Sequence, residues 1–430
     1  MVTEPPGPES RRLGARMSAS ESPAFEARRG RRARESGSDQ SPIVYTRGTG
    51  ANVVDVDRNR YVDLTAGFGA LLLGHRPPVV AAAVARQQRK LWLALGDVYA
   101  SEPKIALSIV LSKLFPEKGA RVMLGLSGAD AITAAMKTAV LATGKPKVIA
   151  FEGAYHGLSY APLAACGLAR AFREPFLEQL APFVRFAPYP GHANDLDRVL
   201  TLVRAELARG ETGAVLVEPV LGRGGCIVPP AGFLQGLRDA CTEAGALLIA
   251  DEIWTGLGRS GAWLASVDEG VTPDVVCLGK GLGGGHPISA CIGREEVMRA
   301  WDTRGGGAIH TATHFGAPTA CAAALATLVE LRRARLPERA KRVGDRWMAD
   351  LRAALEGQRV VEVRGRGLMV GIALEGGSGR ALAAARVLLG AGYIVLTGGS
   401  GGDVLTLTPP LTIEAGMLER FTRVMKHALV

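Results

Sequence analysis

From about Lys104 to Pro318 the chain alternates short, continuously apolar runs with longer stretches of helical periodicity. The runs Arg121–Leu126, Val148–Phe151, Ala214–Pro219, Ala246–Asp251, Val275–Leu278 and Ser289–Ile292 predict strands. Between them, Asp130–Ala142, Asp195–Ala208 and Gly232–Glu243 predict helices. Strands apolar along their whole length are covered on both faces, so an α/β architecture around a mostly parallel sheet is expected. Ahead of this block, Asn52–Leu64 reads as two short strands about the polar turn Asp57-Arg58-Asn59. A glycine-bearing loop (Gly67, Gly69, Gly74) follows, then a helix from Pro78 to about Leu95. Beyond Ala320 the pattern is helix, short strands (Val361–Val363, Leu368–Leu374) and helix again, which suits a smaller α+β unit. No fixed-period repeat is visible.

The opening residues are of different material. Residues 1–41 are rich in Arg, Glu, Ser, Pro and Gly with one aromatic, Phe25. They lack the apolar stretch of a secretory signal and carry too many acids for an organellar presequence. A disordered tail is expected there, with order beginning near Pro42 and Met17 a candidate true start. Over the whole chain, 47% apolar and 21% charged residues suit a globular protein with a sizeable core. The formal charge of +10 raises nucleic-acid binding, but no basic stripe is interleaved with aromatics, and aromatics are only 5%. A positive surface can instead steer an anionic ligand. None of the six cysteines forms a C-x-x-C pair, which suits buried thiols in a reducing, cytoplasmic compartment. No run is long and apolar enough for a membrane span, and the seven histidines show no metal-ligand spacing.

In open α/β sheets ligands gather at the carboxyl ends of strands, which selects the segments after Leu126, Phe151, Ala250 and Gly279. Lys280 ends an apolar strand and precedes Gly281-Leu282-Gly283-Gly284-Gly285. Desolvated there, its amine becomes a nucleophile; the bland alternative is a surface lysine in a turn. A P-loop is excluded, because Asp274 and Gly281 stand where that motif needs Gly and Ser or Thr. Asp251 ends a second apolar strand. Alone it reads equally as a helix N-cap, but beside a strand-end lysine it suits a carboxylate holding a pyridine nitrogen protonated. A lysine imine and a carboxylate-held pyridinium together describe pyridoxal phosphate. Ser127-Gly128-Ala129-Asp130 runs from strand to helix and offers backbone N–H groups to an anion, although such turns are common. Tyr155-His156-Gly157 follows another strand; the aromatic could lie on a cofactor ring or belong to the core. No G-x-S-x-G elbow supports a serine nucleophile.

Taken in order, these pieces resemble the class III aminotransferases, pyridoxal-phosphate enzymes of fold type I. Asp251-Glu-Ile-Trp-Thr-Gly-Leu-Gly-Arg-Ser-Gly261 is similar to the family's signature stretch, and Leu278-Gly-Lys-Gly-Leu-Gly-Gly-Gly285 to its lysine motif. Glu218-Pro219 and Pro409-Pro410-Leu411 also fit, and the resemblance covers about residues 42 to 427. It implies a large cofactor-binding domain at 96–319 with a mostly parallel seven-stranded sheet. It also implies a smaller α+β domain built from both termini, 42–95 and 320–430. Lys280 is then the covalent anchor and proton shuttle, and Asp251 the partner of the pyridine nitrogen. Ile253 and Tyr155 lie on opposite ring faces, with Ser127, Gly128 and Ala129 at the phosphate. His156 and Glu218 stand nearby. Thr313, in Thr313-His-Phe-Gly-Ala-Pro318, resembles a threonine that reaches the phosphate of the neighbouring subunit, which implies a homodimer with shared sites.

The chain also departs from the family pattern. Trp254 stands where members often have Gln, and Ala129 and Asp130 replace the frequent Thr (or Ser) and Glu. Thr406 stands where ornithine-type members carry a carboxylate-gripping Arg. That absence suggests a substrate other than an α-amino acid held there, such as a terminal amine or amino sugar, with Arg366 or Arg259 as substitute clamps. The expected activity is amino transfer from an amine or amino acid to a carbonyl acceptor by a ping-pong mechanism. An aminomutase of the glutamate-1-semialdehyde type, a racemase or a decarboxylase on the same fold is the alternative. A non-catalytic cofactor-binding protein is a remoter one.

Overall fold

The computed structural model describes residues 1–180, 182–302 and 307–429. At its centre is a seven-stranded sheet. Its spatial order is Arg121–Gly125, Ser289–Gly293, Val275–Leu278, Leu247–Asp251, Thr212–Val217, Lys147–Phe151 and Val184–Ala187. Only Ser289–Gly293 runs antiparallel to its neighbours, so the sheet is mostly parallel. The central strands Thr212–Val217 and Val275–Leu278 are buried along their full length, as their unbroken apolar runs require. Helices Gly128–Thr143 and Phe233–Ala244 cover the two faces in separate apolar clusters. The strand Val184–Ala187 was absent from the expected set. It is short, lies at the sheet edge and is only partly covered, so its sequence lacks a continuous apolar run.

Two four-stranded sheets flank this core. In one, Tyr45–Thr49, Asn52–Asp55 and Arg60–Asp63 are joined by Tyr393–Ile394, which runs parallel to Arg60–Asp63 and ties the two ends of the chain together. The other, Val360–Arg366, Met369–Leu374, Val404–Leu407 and Leu396–Gly398, is antiparallel. The helix expected to reach Leu95 stops at Gln88. Beyond it the chain turns at Gly96 with φ +57° and leaves Trp92, Leu95, Val98 and Tyr99 in solvent.

The expected disordered tail is corrected by the structure, which folds it into two helices, α1 (Pro8–Ser18) and α2 (Pro23–Ser36). The free N–H groups of Glu9 and Ser10 at the start of α1 donate to the Asp57 carboxylate at 2.7 and 2.8 Å. Those of Val2 and Thr3 donate to Asn59 Oδ1 at 2.7 and 2.9 Å. The polar turn Asp57–Asn59 is thus the docking point for the N-terminus. Helix α2 ends at Gly37 (φ +62°) and packs against helix Gly377–Gly390. Gly379 lets the backbone of α2 approach; a Cβ there would stand 2.3 Å from the Glu35 carbonyl oxygen. Composition misled because the groups that order this tail are supplied from far along the chain.

Candidate active site

The strand ends expected to carry chemistry lie at one end of the sheet, and two of the segments following them, through Tyr155 and Lys280, line one cavity of about 500 Å³. Strand Leu247–Asp251 delivers Asp251, which is 4% exposed. Its Oδ2 accepts a hydrogen bond of 2.7 Å from His156 Nδ1, and its Oδ1 accepts one of 3.1 Å from the Ile253 amide. Because Asp251 occupies Nδ1, the ring orientation of His156 is set by the carboxylate it serves. His156 Nε2 is buried and without a partner among the described residues. Glu218, 5% exposed, is a clamp between two loops. Its carboxylate accepts from the amides of Tyr155 at 2.7 Å and Gly222 at 3.0 Å. Burial raises its pKa, with Asp251 adding to the rise; His156 and the two amide donors oppose it.

Lys280 follows strand Val275–Leu278 and opens a short 3₁₀ turn with φ +37°, a strained value for a side-chain-bearing residue. Its Nζ lies 4.1 Å from the centroid of the Trp254 ring. Burial lowers the Lys280 pKa to about 8, against the attraction of Asp251 and Glu218. A lysine so depressed is partly neutral near physiological pH, as an amine nucleophile must be. Trp254 is itself accommodated by Gly69, where a Cβ would fall 2.2 Å from the indole nitrogen.

The turn from Leu126 into helix Gly128–Thr143 is built around a capping box. Ser127 Oγ accepts from the Asp130 amide at 3.3 Å, while Asp130 Oδ2 accepts from the amides of Ser127 and Leu126 at 2.9 and 3.1 Å. The N–H groups of Gly128 and Ala129, at the first two helical positions, have no intrahelical acceptor and remain available to an anion. Gly128 packs closely on its neighbour, a Cβ there standing 2.8 Å from Ile253 Cδ1. Ser127, Gly128, Ala129, Ile253, Tyr155, His156, Glu218, Asp251 and Lys280 are therefore brought to one end of the sheet. Thr313 is not; it is exposed in the turn before helix Pro318–Arg333. The arrangement fits pyridoxal phosphate: an amine of lowered pKa, a buried carboxylate held in place and a free helix N-terminus.

Neither suggested substitute for the missing arginine lines this cavity. Arg259 is fully buried; its Nη1 donates to the carbonyl oxygens of Leu368 (2.9 Å) and Pro409, its Nε and Nη2 have no partner among the described residues, and burial pushes its pKa down to about 9. Arg366 pairs with Glu269 at 2.6 Å and Asp268 at 2.5 Å. The cavity instead holds arginines that the sequence reading missed. Arg223 comes from the loop Gly222–Gly225, and Arg28, Arg29 and Arg32 come from α2. A lone Arg inside the glycine run of residues 222–225 was the available signal for Arg223. The α2 arginines gave none, because their segment read as tail.

Fold and floor together define a fold-type-I pyridoxal-phosphate transaminase. The class-III aminotransferase family model matches residues 33–429. The chain is 40% identical over 389 residues to the acetylornithine aminotransferase of Methanopyrus kandleri, covering 90% of this chain and 94% of that protein. It is 39% identical over 393 residues to the acetylornithine aminotransferase of Mycobacterium tuberculosis, covering 90% and 92%. Among solved structures, an amine transaminase from an uncultivated Pseudomonas species superposes with a TM-score of 0.84 at 29% identity, covering 91% of this chain and 95% of that one. The ornithine aminotransferase of Toxoplasma gondii superposes with a TM-score of 0.82 at 30% identity, covering 90% and 89%. The chain belongs to the class-III aminotransferases and is a pyridoxal-phosphate-dependent transaminase.

Proposed function

We propose that this transaminase takes the amino group of a donor amine and passes it to a carbonyl acceptor in two half-reactions at the floor formed by Lys280, Asp251 and His156. The carrying observation is the juxtaposition of a lysine whose pKa is lowered to about 8 with a buried carboxylate fixed by a histidine. Bound pyridoxal phosphate supplies an electron sink for the substrate's amine-bearing carbon. Lys280 Nζ is the group that would anchor it and, when released, the base that moves a proton at that carbon. Asp251 would hold the ring nitrogen protonated, and His156 keeps Asp251 oriented. The free N–H groups of Gly128 and Ala129 would take the phosphate, with Ser127 closing the turn. Ile253 and Tyr155 would face the ring from either side, and Glu218 keeps the Tyr155 loop in place.

The working unit in this reading is a homodimer. Trp92, Leu95, Val98 and Tyr99 are 76, 63, 68 and 70% exposed, an apolar edge suited to a second copy. Exposed Thr313 would serve a partner's phosphate site in such a dimer. Sedimentation at micromolar concentration tests this. Six unpaired, buried cysteines support a reducing, cytoplasmic setting, and small molecules rather than nucleic acid or membrane are the partners assigned. The deciding experiment is the absorption spectrum of the purified protein before and after a panel of amines, acetylornithine included, with Lys280→Ala as control. A band near ~410–430 nm that is lost in the variant and consumed by particular amines is expected. A protein that stays colourless after addition of pyridoxal phosphate overturns the proposal.

A further inference from the structure

The cavity above Lys280 is lined by arginines and by no aspartate or glutamate. Arg28 and Arg32 project from α2, and Arg223 from the facing loop. None of the three makes an ion pair with a carboxylate among the described residues, whereas nearby Arg364 and Arg366 are both matched by acids. They are nevertheless oriented. The Arg223 guanidinium lies 4.4 Å over the centroid of the Tyr155 ring, and Arg32 Nη2 donates to Thr397 Oγ1 at 2.7 Å. Partial desolvation and then the charge of Arg223 lower the pKa of Arg28; desolvation and then the charge of Arg28 lower that of Arg32, with Glu35 opposing. Like charges gathered at one partly covered cavity wall without counterions repel one another, and a ligand that supplies the missing charge relieves that repulsion. The cofactor's own phosphate does not supply it, because Gly128 and Ala129 are not part of this cavity's lining.

We propose that Arg28, Arg32 and Arg223 form an anion clamp that selects a substrate whose end remote from the reacting carbon is dianionic, either a phosphoryl-type group or paired carboxylates. Three unmatched guanidinium groups exceed what one carboxylate neutralises, and their planar N–H edges suit the several oxygens of a phosphoryl group or two carboxylates. The volume of about 500 Å³ holds a small metabolite of this kind above Lys280. The clamp occupies the mouth of the cavity on the side of α2, while Thr406, where the family's arginine is missing, lines the wall. Its carboxylate-gripping task is thus moved from one strand to a helix and a loop. The assignment rests on the aminotransferase reading.

The test uses the cofactor-loaded enzyme and four amines of similar length: 3-aminopropylphosphonate, 3-aminopropylmalonate, 4-aminobutyrate and butylamine. Single-turnover loss of the visible band gives kcat/KM for each. A dianionic amine is expected to exceed 4-aminobutyrate by about tenfold and butylamine by about a hundredfold, the size expected for one and two charge-assisted hydrogen bonds. Preference for the phosphonate or for the malonate names the anion. Equal values for butylamine and both dianions, or a clear preference for the monocarboxylate, overturn the clamp. In Arg223→Gln and in Arg28→Gln/Arg32→Gln the dianion-to-butylamine ratio should fall about tenfold, mainly through KM, and the corresponding Lys variants should recover part of it. A second readout needs no turnover: calorimetric binding of propylphosphonate, weakened about tenfold in the same variants and by added salt in the wild type. Failure of every amine to consume the band would instead count against the transaminase reading, while propylphosphonate binding would still judge the clamp.

Discussion

At the carboxyl end of the sheet, Asp251, His156 and Glu218 form a buried floor locked by hydrogen bonds of 2.7 to 3.1 Å. At the mouth of the cavity, Arg28 and Arg32 stand on a helix none of whose own residues is buried. The floor repeats the signature residues of a family and sits on the rigid end of a parallel sheet. The mouth is assembled from a surface helix, which can vary without disturbing the core, and from the glycine-bearing loop that presents Arg223. Chemistry that needs fixed geometry is therefore placed where packing is dense, and substrate choice where substitutions are structurally cheap.

Substitutions at the two ends sharpen that contrast. The largest effect is expected for Lys280→Ala, which removes anchor and base together and should lower amino transfer by about 10³-fold or more, measured in a single-turnover assay. Activity within tenfold of wild type would show that another group does this work. Lys280→Met tests the energetic side of the floor in cofactor-free protein. Burial depresses this lysine from 10.5 to about 8, so between those values the unfolded chain binds more protons than the folded one. Stability of the wild type should then rise with pH across that window, the penalty being fully present below pH 8. Lys280→Met should be more stable at pH 7 by roughly 3 kcal/mol at most, the gap narrowing above pH 8, as read by urea unfolding.

Asp251→Asn keeps the shape but removes the charge that His156 serves, and kcat should fall about 10²-fold; a change under twofold would mean the floor is structural. At the mouth, Arg28→Gln/Arg32→Gln should shift substrate selectivity about tenfold while leaving unfolding free energy within about 0.5 kcal/mol, since α2 buries none of its residues. A destabilisation comparable to that of a floor variant would erase the distinction drawn above. The smallest effect is expected for Arg366→Ala. Its partly exposed pairs with Asp268 and Glu269 are worth under about 1 kcal/mol, and selectivity measured on the same amines should not move.

Much of the architecture was legible from local pattern. Strands such as Val275–Leu278 and Leu247–Asp251 declare themselves by unbroken apolar runs, and the residue after such a run at a sheet's carboxyl end is a site candidate before any contact is known. The edge strand Val184–Ala187 was not legible, because half-covered strands lack that run. Nor were α1 and α2, whose caps and packing partners, Asp57, Asn59 and Gly379, lie elsewhere in the chain. The glycines of the lysine motif gave no hint of their neighbours, Leu72 against Gly281 and Thr327 against Gly284, and the reason for Gly69 emerged only with Trp254 packed against it.

What the amino-acid sequence determined by itself was the sheet, the choice of Lys280 and Asp251 as site candidates, and the absence of an arginine at Thr406. These depend on residue type and on periodicity within a few residues. Tertiary structure alone decided that His156 fixes Asp251, that Glu218 joins two loops, that Arg259 and Arg366 lie outside the cavity, and that Arg28 and Arg32 meet Arg223. The reason is physical: whether a charged group is free to bind a ligand depends on which neighbours neutralise or desolvate it, and here those neighbours are set by folding between residues nearly two hundred positions apart.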